Sequence, residues 1–402
     1  MLVTFRFKNF GPFKEEAVLD MRAVKEYEEH PDNVITIYES TPILKVASIY
    51  GANASGKTHV AEAYEAFLRI IRDSFHPKDK KDLDSVLETY YEPYLFDEES
   101  SSACTEFEAV YLDGRYELKY GFSYDDVEIE YEWLYQTDLA TDETNVILER
   151  DGKQIVLGDS VKDSCDKYLN DIDSDVLALS FMSSLKLETD VFATTLSEVS
   201  SFLPVFLSDN DWADVILHRY WQKDFDENER PRLLKFLKGI DVGICDVKVE
   251  KNGKRVNVYT YHKDSDGELI PVPLSIESDG TRRAIALYSL MGYAAKVGSG
   301  LIIDEFHSQL HPLLQKYLLD LFYEESITGQ VIYTTHDTSL LDKKYVRRDQ
   351  VWFVEKDDQG EASLYSLDDF LIRNDDSFSE DYLGGVYGAI PRLKDFSFGE
   401  VT

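Results

Sequence analysis

The residues Gly51-Ala52-Asn53-Ala54-Ser55-Gly56-Lys57-Thr58 have the types and spacing to hold a triphosphate. They fit G-x-x-x-x-G-K-[ST], a loop that wraps phosphates with backbone N–H groups where bulkier side chains would block the approach. Gly51, Asn53, Ala54, Ser55, Gly56, Lys57 and Thr58 are the expected nucleotide contacts. Lys57 reaches the β- and γ-phosphates and the Thr58 hydroxyl ligates Mg2+. A second group, Leu301-Ile302-Ile303-Asp304-Glu305, sets two carboxylates at the end of an apolar run. Asp304 is expected in the Mg2+ shell, and Glu305 is expected to orient or deprotonate an attacking water. A third, Val331-Ile332-Tyr333-Thr334-Thr335-His336-Asp337, places His336 after another apolar run, where it can hydrogen-bond a γ-phosphate or that water. The fourth, SIESDGTRR from Ser275 to Arg283, precedes a helical stretch. Ser278 and the N–H groups of Gly280 and Thr281 are expected to form a second anion-binding turn at a helix N-terminus. One chain already has its phosphate loop, so this second turn points to use on another copy's nucleotide.

The elements that must position these residues are legible in the apolar spacing. Val46–Tyr50 reads as a strand directly before the loop. Thr58 onward has helical spacing, with Val60, Tyr64, Phe67, Leu68 and Ile71 on one face. Leu301–Ile303 and Val331–Thr334 read as buried strands, and Asp279–Ala295 and Pro312–Tyr323 as helices. About 250 residues separate Lys57 from Asp304, against about 30 or more for one βαβ crossover. A large insertion between two halves of one core follows, which disfavours compact GTPases and nucleotide kinases. The start alternates over Val3–Phe7, turns at Gly11-Pro12 and continues over Ala17–Met21. Antiparallel hairpins are expected over Phe107–Leu118 and Lys119–Tyr135, around Asp113-Gly114 and Tyr124-Asp125-Asp126. Pro77–Asp84 is a charged connection, Ser160 to Lys238 has a helical period, and Val247–Tyr261 returns to strands around Asn252-Gly253. Val351–Glu355 and Ser363–Ser366 form a last hairpin.

The expected fold class is α/β: a mostly parallel sheet flanked by helices, with an antiparallel β subdomain, a helical insertion and no coiled coil. The expected division is 1–75 for the first part of the core with its phosphate loop and 76–160 for an acidic, hairpin-rich subdomain. Residues 161–240 follow as a helical insertion, 241–345 as the second part of the core, and 346–402 as a hairpin and tail.

Composition narrows the function classes. Asp and Glu number 77 against 42 Lys and Arg, a formal charge of −35, whose field repels a phosphate backbone. Nucleic acid stays open only through a local basic groove. The acidic excess is dense from Glu92 to Glu143, which reads either as a solvated surface or as a docking face for a basic partner. Three scattered cysteines, Cys104, Cys165 and Cys245, give neither a disulfide framework nor a zinc spacing. No apolar run reaches the roughly 20 residues of a membrane helix, and the N-terminus has no signal-peptide core, so a cytoplasmic protein without membrane contact is expected.

In their order along the chain, the phosphate loop, the Ser-x-Gly turn, the Asp-Glu strand and the histidine resemble the plan of ABC-type ATPases. The opening FRFKNFGPFKE resembles the first strands of RecF, SMC and OLD-family ATPases. Closer still is the resemblance to RloA- and AbiL-type bacterial ATPases of restriction and anti-phage loci. GANASGKT, ESDGTRR, LIIDEFHSQLHP, TTHDTSLLD, VRRDQVWFVEKD and YLGGVYGAIP carry it over Met1 to Pro391. The resemblance implies that Lys57 and Thr58 are the Walker A pair, Asp304 and Glu305 the Walker B pair, and His336 the switch histidine. Ser278 and Gly280 would contact ATP on a second protomer, and Ser308-Gln309-Leu310-His311 would be the D-loop crossing the interface. The cofactors implied are ATP and Mg2+, held in a homodimer or higher homo-oligomer that closes on nucleotide and opens on hydrolysis. The implied function is a sensor or regulator of a separate effector, a nuclease, in bacterial anti-phage defence. The alternative is a RecF-like DNA-repair or chromosome-maintenance ATPase acting on DNA. A transporter subunit is disfavoured by the opening strands, the insertion and ESDGT in place of LSGGQ. The stretch Tyr94–Asp97 falls near where a Q-loop would occur but has no glutamine, and no Toprim-type acidic cluster follows the core.

Overall fold

Apolar residues on both faces of a strand require cover on both sides, and this chain meets that demand with layers. The computed structural model describes residues 1–38, 41–75, 85–207, 212–225, 228–240, 242–253, 255–372 and 377–391. The expected connection Pro77–Asp84 lies outside them. Val46–Tyr50, Gly300–Asp304 and Gln330–Thr335 are buried along their whole length. They form the middle of a six-stranded sheet ordered Phe202–Phe206, Gly300–Asp304, Gln330–Thr335, Val46–Tyr50, Val351–Lys356 and Ala362–Ser366. The first five strands are parallel and the last is antiparallel.

The edge strand Phe202–Phe206 falls within the stretch whose spacing reads as helical. A five-residue apolar run cannot be told from a buried helical turn by periodicity. Here pairing decides: Gly300, directly opposite, leaves room for the Phe202 ring, which a Cβ at Gly300 would meet at 2.1 Å.

A second sheet of seven antiparallel strands runs in the order Gln154–Leu157, Glu143–Asp151, Ile129–Asp138, Tyr116–Tyr124, Thr105–Asp113, Leu2–Lys8 and Ala17–Asp20. Leu2–Lys8 pairs with Thr105–Asp113, so strands on either side of position 75 share one sheet. Between the two sheets lies the helix Lys57–Asp73. Its expected apolar face is buried, and so are Ala61, Ala63, Ala66 and Ile70, because sheets cover it from two sides. Phe67 meets Phe5, Phe107 and Phe122 of the antiparallel sheet at ring-centroid distances of 5.7, 6.1 and 5.7 Å. Helices Trp212–Arg219, Glu229–Gly239, Asp279–Val297 and Pro312–Asp320 contribute to the core on the other face of the six-stranded sheet. A three-stranded sheet, Asp246–Asn252, Arg255–Lys263 and Leu269–Pro273, stands apart; its third strand is mostly exposed and has no apolar alternation to announce it. Among the described residues no helix is long and apolar enough to cross a membrane.

Two buried polar networks fix the joins. Arg347 donates to the carbonyls of Val24, Tyr27 and Glu29 and pairs with Asp349, clasping the N-terminal segment to the start of the Val351 strand. Glu132, on the inner face of the antiparallel sheet, accepts from the N–H groups of Ala178 and Leu179 at 2.8 and 2.9 Å and from the Tyr120 hydroxyl at 3.0 Å. Arg150 lies 4.0 Å away. Burial pushes the Glu132 carboxyl pKa up and these donors oppose the shift. Removing one partner of such a group strands the others, so Glu132→Ala is expected to cost about 3–5 kcal/mol. Urea denaturation checks this, and an unchanged midpoint would refute it.

Candidate functional site

The C-terminal ends of parallel strands gather loops at one sheet edge, and three of the four motifs, those that follow Val46–Tyr50, Gly300–Asp304 and Gln330–Thr335, meet there. The loop after Val46–Tyr50 turns into the helix Lys57–Asp73 through Ala54 at φ 62° and Gly56 at φ 113°. At Gly51 a Cβ would lie 2.5 Å from the Val354 carbonyl oxygen and 2.7 Å from Ser55 Oγ, so the close wrap requires glycine. Gly56 offers no side chain to cap the helix; its carbonyl accepts the His59 N–H at 3.0 Å, and the N–H groups of Lys57 and Thr58 before it are placed for an outside acceptor. Ser55 Oγ is buried without a hydrogen-bond partner among the described residues. This is the donor set and cradle that a polyphosphate fits. Asn53 and Ala54 lie on the exposed rim of the loop.

Lys57 Nζ donates to the carbonyls of Gly51 and Ala52 at 2.9 and 2.7 Å. Burial pushes its pKa down, while the charges of Asp304 and Glu305 oppose that shift, so the ammonium is in electrostatic reach of both carboxylates. The Thr58 hydroxyl donates to Asp304 Oδ2 at 3.1 Å. Asp304 is 2% exposed. Burial pushes its carboxyl up, against the hydroxyls of Thr334 and Thr58.

Strand order explains a residue that motif reading passed over. The Gln330–Thr335 strand lies between Val46–Tyr50, which leads into the loop before Lys57, and Gly300–Asp304. Its Thr334, fully buried, donates to Asp304 Oδ1 at 2.6 Å and accepts the Glu305 N–H at 2.9 Å. Glu305 sits at φ 54°, a left-handed conformation costing a non-glycine residue on the order of 1–3 kcal/mol. Thr334 holds it there, helped by the Phe306 N–H to Thr334 carbonyl bond at 3.0 Å. Glu305 is exposed at the sheet edge. The signal in the sequence is two consecutive threonines ending an otherwise apolar buried strand, since buried hydroxyls need partners.

His336 follows that strand, exposed, with its ring 3.8 Å from the ring of His307. His307 Nδ1 meets Thr335 Oγ1 at 3.1 Å. Burial, then the neighbouring His336, pushes the His307 pKa down to about 4. Behind them Gln315 donates to Asp337 Oδ2 and to the Leu310 carbonyl.

Ser278 and Gly280 stand at the start of another helix, Asp279–Val297, with Ser278 exposed. Ser278 Oγ caps the helix Asp279–Val297 by accepting the Thr281 N–H at 3.1 Å, so that N–H is engaged within the turn. A Cβ at Gly280 would meet the Gln309 carbonyl at 3.5 Å, and Arg283 donates to Ser308 Oγ at 3.3 Å. The turn is thus joined to the Ser308–His311 segment that follows the Asp-Glu pair. In the Tyr94–Asp97 stretch the Tyr94 N–H donates to Asn9 Oδ1, and Leu95 and Phe96 are exposed.

The family described as "AAA domain, putative AbiEii toxin, Type IV TA system" matches residues 46–342. Similar solved structures include the SMC head domain from Thermotoga maritima, at 13% identity and TM-score 0.41, covering 91% of this chain and 98% of that one. The SmcHead bound to the C-winged helix domain of ScpA has 11% identity and TM-score 0.43 over 91% and 97%. The Smc head domain with an extended coiled coil, bound to the C-terminal domain of ScpA derived from Pyrococcus furiosus, has 10% identity and TM-score 0.43 over 96% and 99%. No curated protein sequence matches.

Thr334→Val removes one hydroxyl and leaves both Asp304 Oδ1 and the Glu305 N–H unpaired, an expected loss of about 1–3 kcal/mol. Thr334→Ser keeps most of that stability, and equal denaturation midpoints for all three proteins would contradict the assignment. For His307 the folded pKa of about 4 lies below the ordinary 6.5, so the unfolded chain takes the proton more readily. Its contribution to stability is complete above pH 6.5 and declines as pH falls toward 4. His307→Asn should flatten that limb of the stability profile.

Proposed function

The chain belongs to that AAA-domain family of AbiEii description, and on this premise we propose that it binds and hydrolyses ATP as an ABC-type enzyme. In this reading two copies close on two nucleotides to regulate a separate effector, a nuclease, in bacterial anti-phage defence in the cytoplasm. The observation that carries the ATP part is the Thr58 to Asp304 hydrogen bond, 3.1 Å across 246 positions of sequence. It joins a hydroxyl at the foot of a phosphate cradle to a buried carboxylate, the pair of oxygens a Mg2+ site uses.

Gly51 to Thr58 supply N–H groups to the phosphates, and Lys57 exchanges the carbonyls of Gly51 and Ala52 for phosphate oxygens. Thr58 and Asp304 would hold Mg2+, which when bound neutralises phosphate charge. Glu305, fixed by Thr334, orients the attacking water and accepts its proton, with His336 at the adjacent strand end hydrogen-bonding the γ-phosphate or that water. Ser278 and Gly280, tied to Gln309 and Ser308, serve the nucleotide of the second copy. The family's description, a putative toxin of a type IV toxin–antitoxin system, supports the defence setting of this reading. The charge of −35 favours this over a RecF-like enzyme working directly on DNA.

Glu305→Gln should retain ATP binding, slow turnover by about a hundredfold or more, and accumulate an ATP-dependent dimer visible by light scattering. Turnover at the wild-type rate would remove Glu305 from catalysis. Ser278→Arg should leave ATP binding to the monomer intact and abolish that dimer; a dimer that persists would sink the shared-site reading.

A further inference from the structure

We propose that the outer face of the seven-stranded sheet docks an arginine-bearing segment of a partner protein. One face of this sheet is committed to the helix Lys57–Asp73 and the core. On the other, strand register lines up cross-strand rows. Glu108, Gly121, Trp133 and Glu149 form one row, and Glu106, Ser123, Tyr131 and Asp151 form the next. In each row an aromatic ring stands between carboxylates, over a floor of glycine or serine. The Trp133 indole lies over Gly121, where a Cβ would meet it at 2.3 Å, and its Nε1 donates to Glu108 at 2.8 Å. The concavity beside these rows measures about 480 Å3.

The two sides of the aromatic rows differ in one respect. On the near side the protein supplies its own guanidinium. Arg6 pairs with Glu16 at 2.5 Å, Glu106 at 2.6 Å and Glu108 at 3.4 Å, and Lys119 adds a contact to Glu108 at 3.4 Å. On the far side Glu149 and Asp151 carry no ion pair among the described residues; Glu149 accepts only the Tyr135 hydroxyl, at 2.7 Å. Tyr131, directly opposite Asp151, is 46% exposed. The carboxylate frame is repeated there with no cation of the chain's own among the described residues. A planar guanidinium suits this frame better than an ammonium, because it stacks on aromatic faces while pairing with carboxylates in its own plane. Nucleic acid is repelled by the same carboxylates. Tyrosine and tryptophan in a shallow acidic trough are the residue types that anchor protein interfaces.

This inference is independent of nucleotide binding and is tested without it. The full chain is titrated with a labelled peptide of alternating glycine and arginine, followed by fluorescence anisotropy, beside a glycine–lysine peptide and a short DNA duplex. The arginine peptide should bind about tenfold or more tighter than the lysine peptide, and the duplex should not bind. Glu149→Gln with Asp151→Asn should weaken arginine-peptide binding by about tenfold or more. Glu324→Gln with Glu325→Gln, which removes the same charge elsewhere, should leave it unchanged. Tyr131→Ala should reduce the arginine preference while a thermal melt confirms the fold. Equal affinity for both peptides, equal loss in the two double variants, or no binding at all would overturn the proposal. Tight duplex binding would overturn it as well, in favour of a nucleic-acid surface.

Discussion

A carboxylate buried in a sheet is stable only if its oxygens are hydrogen-bonded, and Asp304 meets that condition with donors from two distant parts of the chain. Thr58 comes from the start of the helix that follows the phosphate loop, and Thr334 from the strand in between. Neither donor can arrive unless the strands Val46–Tyr50, Gln330–Thr335 and Gly300–Asp304 lie side by side in that order. Satisfying one acid therefore specifies the middle of the sheet, the entry of the helix and the conformation of Glu305. The same hydroxyl that binds Asp304 also receives the Glu305 N–H, so the two acids are set as a unit.

The strands that carry the motifs were legible because continuous apolar runs bounded by glycine or acids leave few other readings. Val46–Tyr50 is a strand over the residues read from its composition. The strand Phe202–Phe206 was hidden because its partner, Gly300, is what makes room for it, and a partner nearly a hundred residues away has no local signature. The extent of burial around the helix Lys57–Asp73 was hidden for a related reason. Alanines at positions 61, 63 and 66 read as neutral helix formers, and only the presence of a second sheet turns them into close-packing residues.

At the site, residue types with one known chemistry were readable and residues acting through others were not. Lys57, Thr58 and Asp304 were singled out by type and spacing, and they are brought together. Thr334, His307 and Arg283 escaped because their roles are to hold Asp304, the ring of His336 and Ser308, which only the folded arrangement reveals. Leu269–Pro273 escaped because two of its five residues are prolines, which argue against a strand and are tolerated here on an exposed edge.

The helix Lys57–Asp73 is clamped between two sheets and spans 17 residues, about 26 Å at 1.5 Å each. A rod gripped along both flanks has no slack in which to absorb a push at one end. Whatever shifts Lys57 must tilt or slide the whole rod, and its Phe67 is locked against rings of the antiparallel sheet. A displacement at the head of the helix would therefore be borne by the rings that Phe67 meets in the antiparallel sheet.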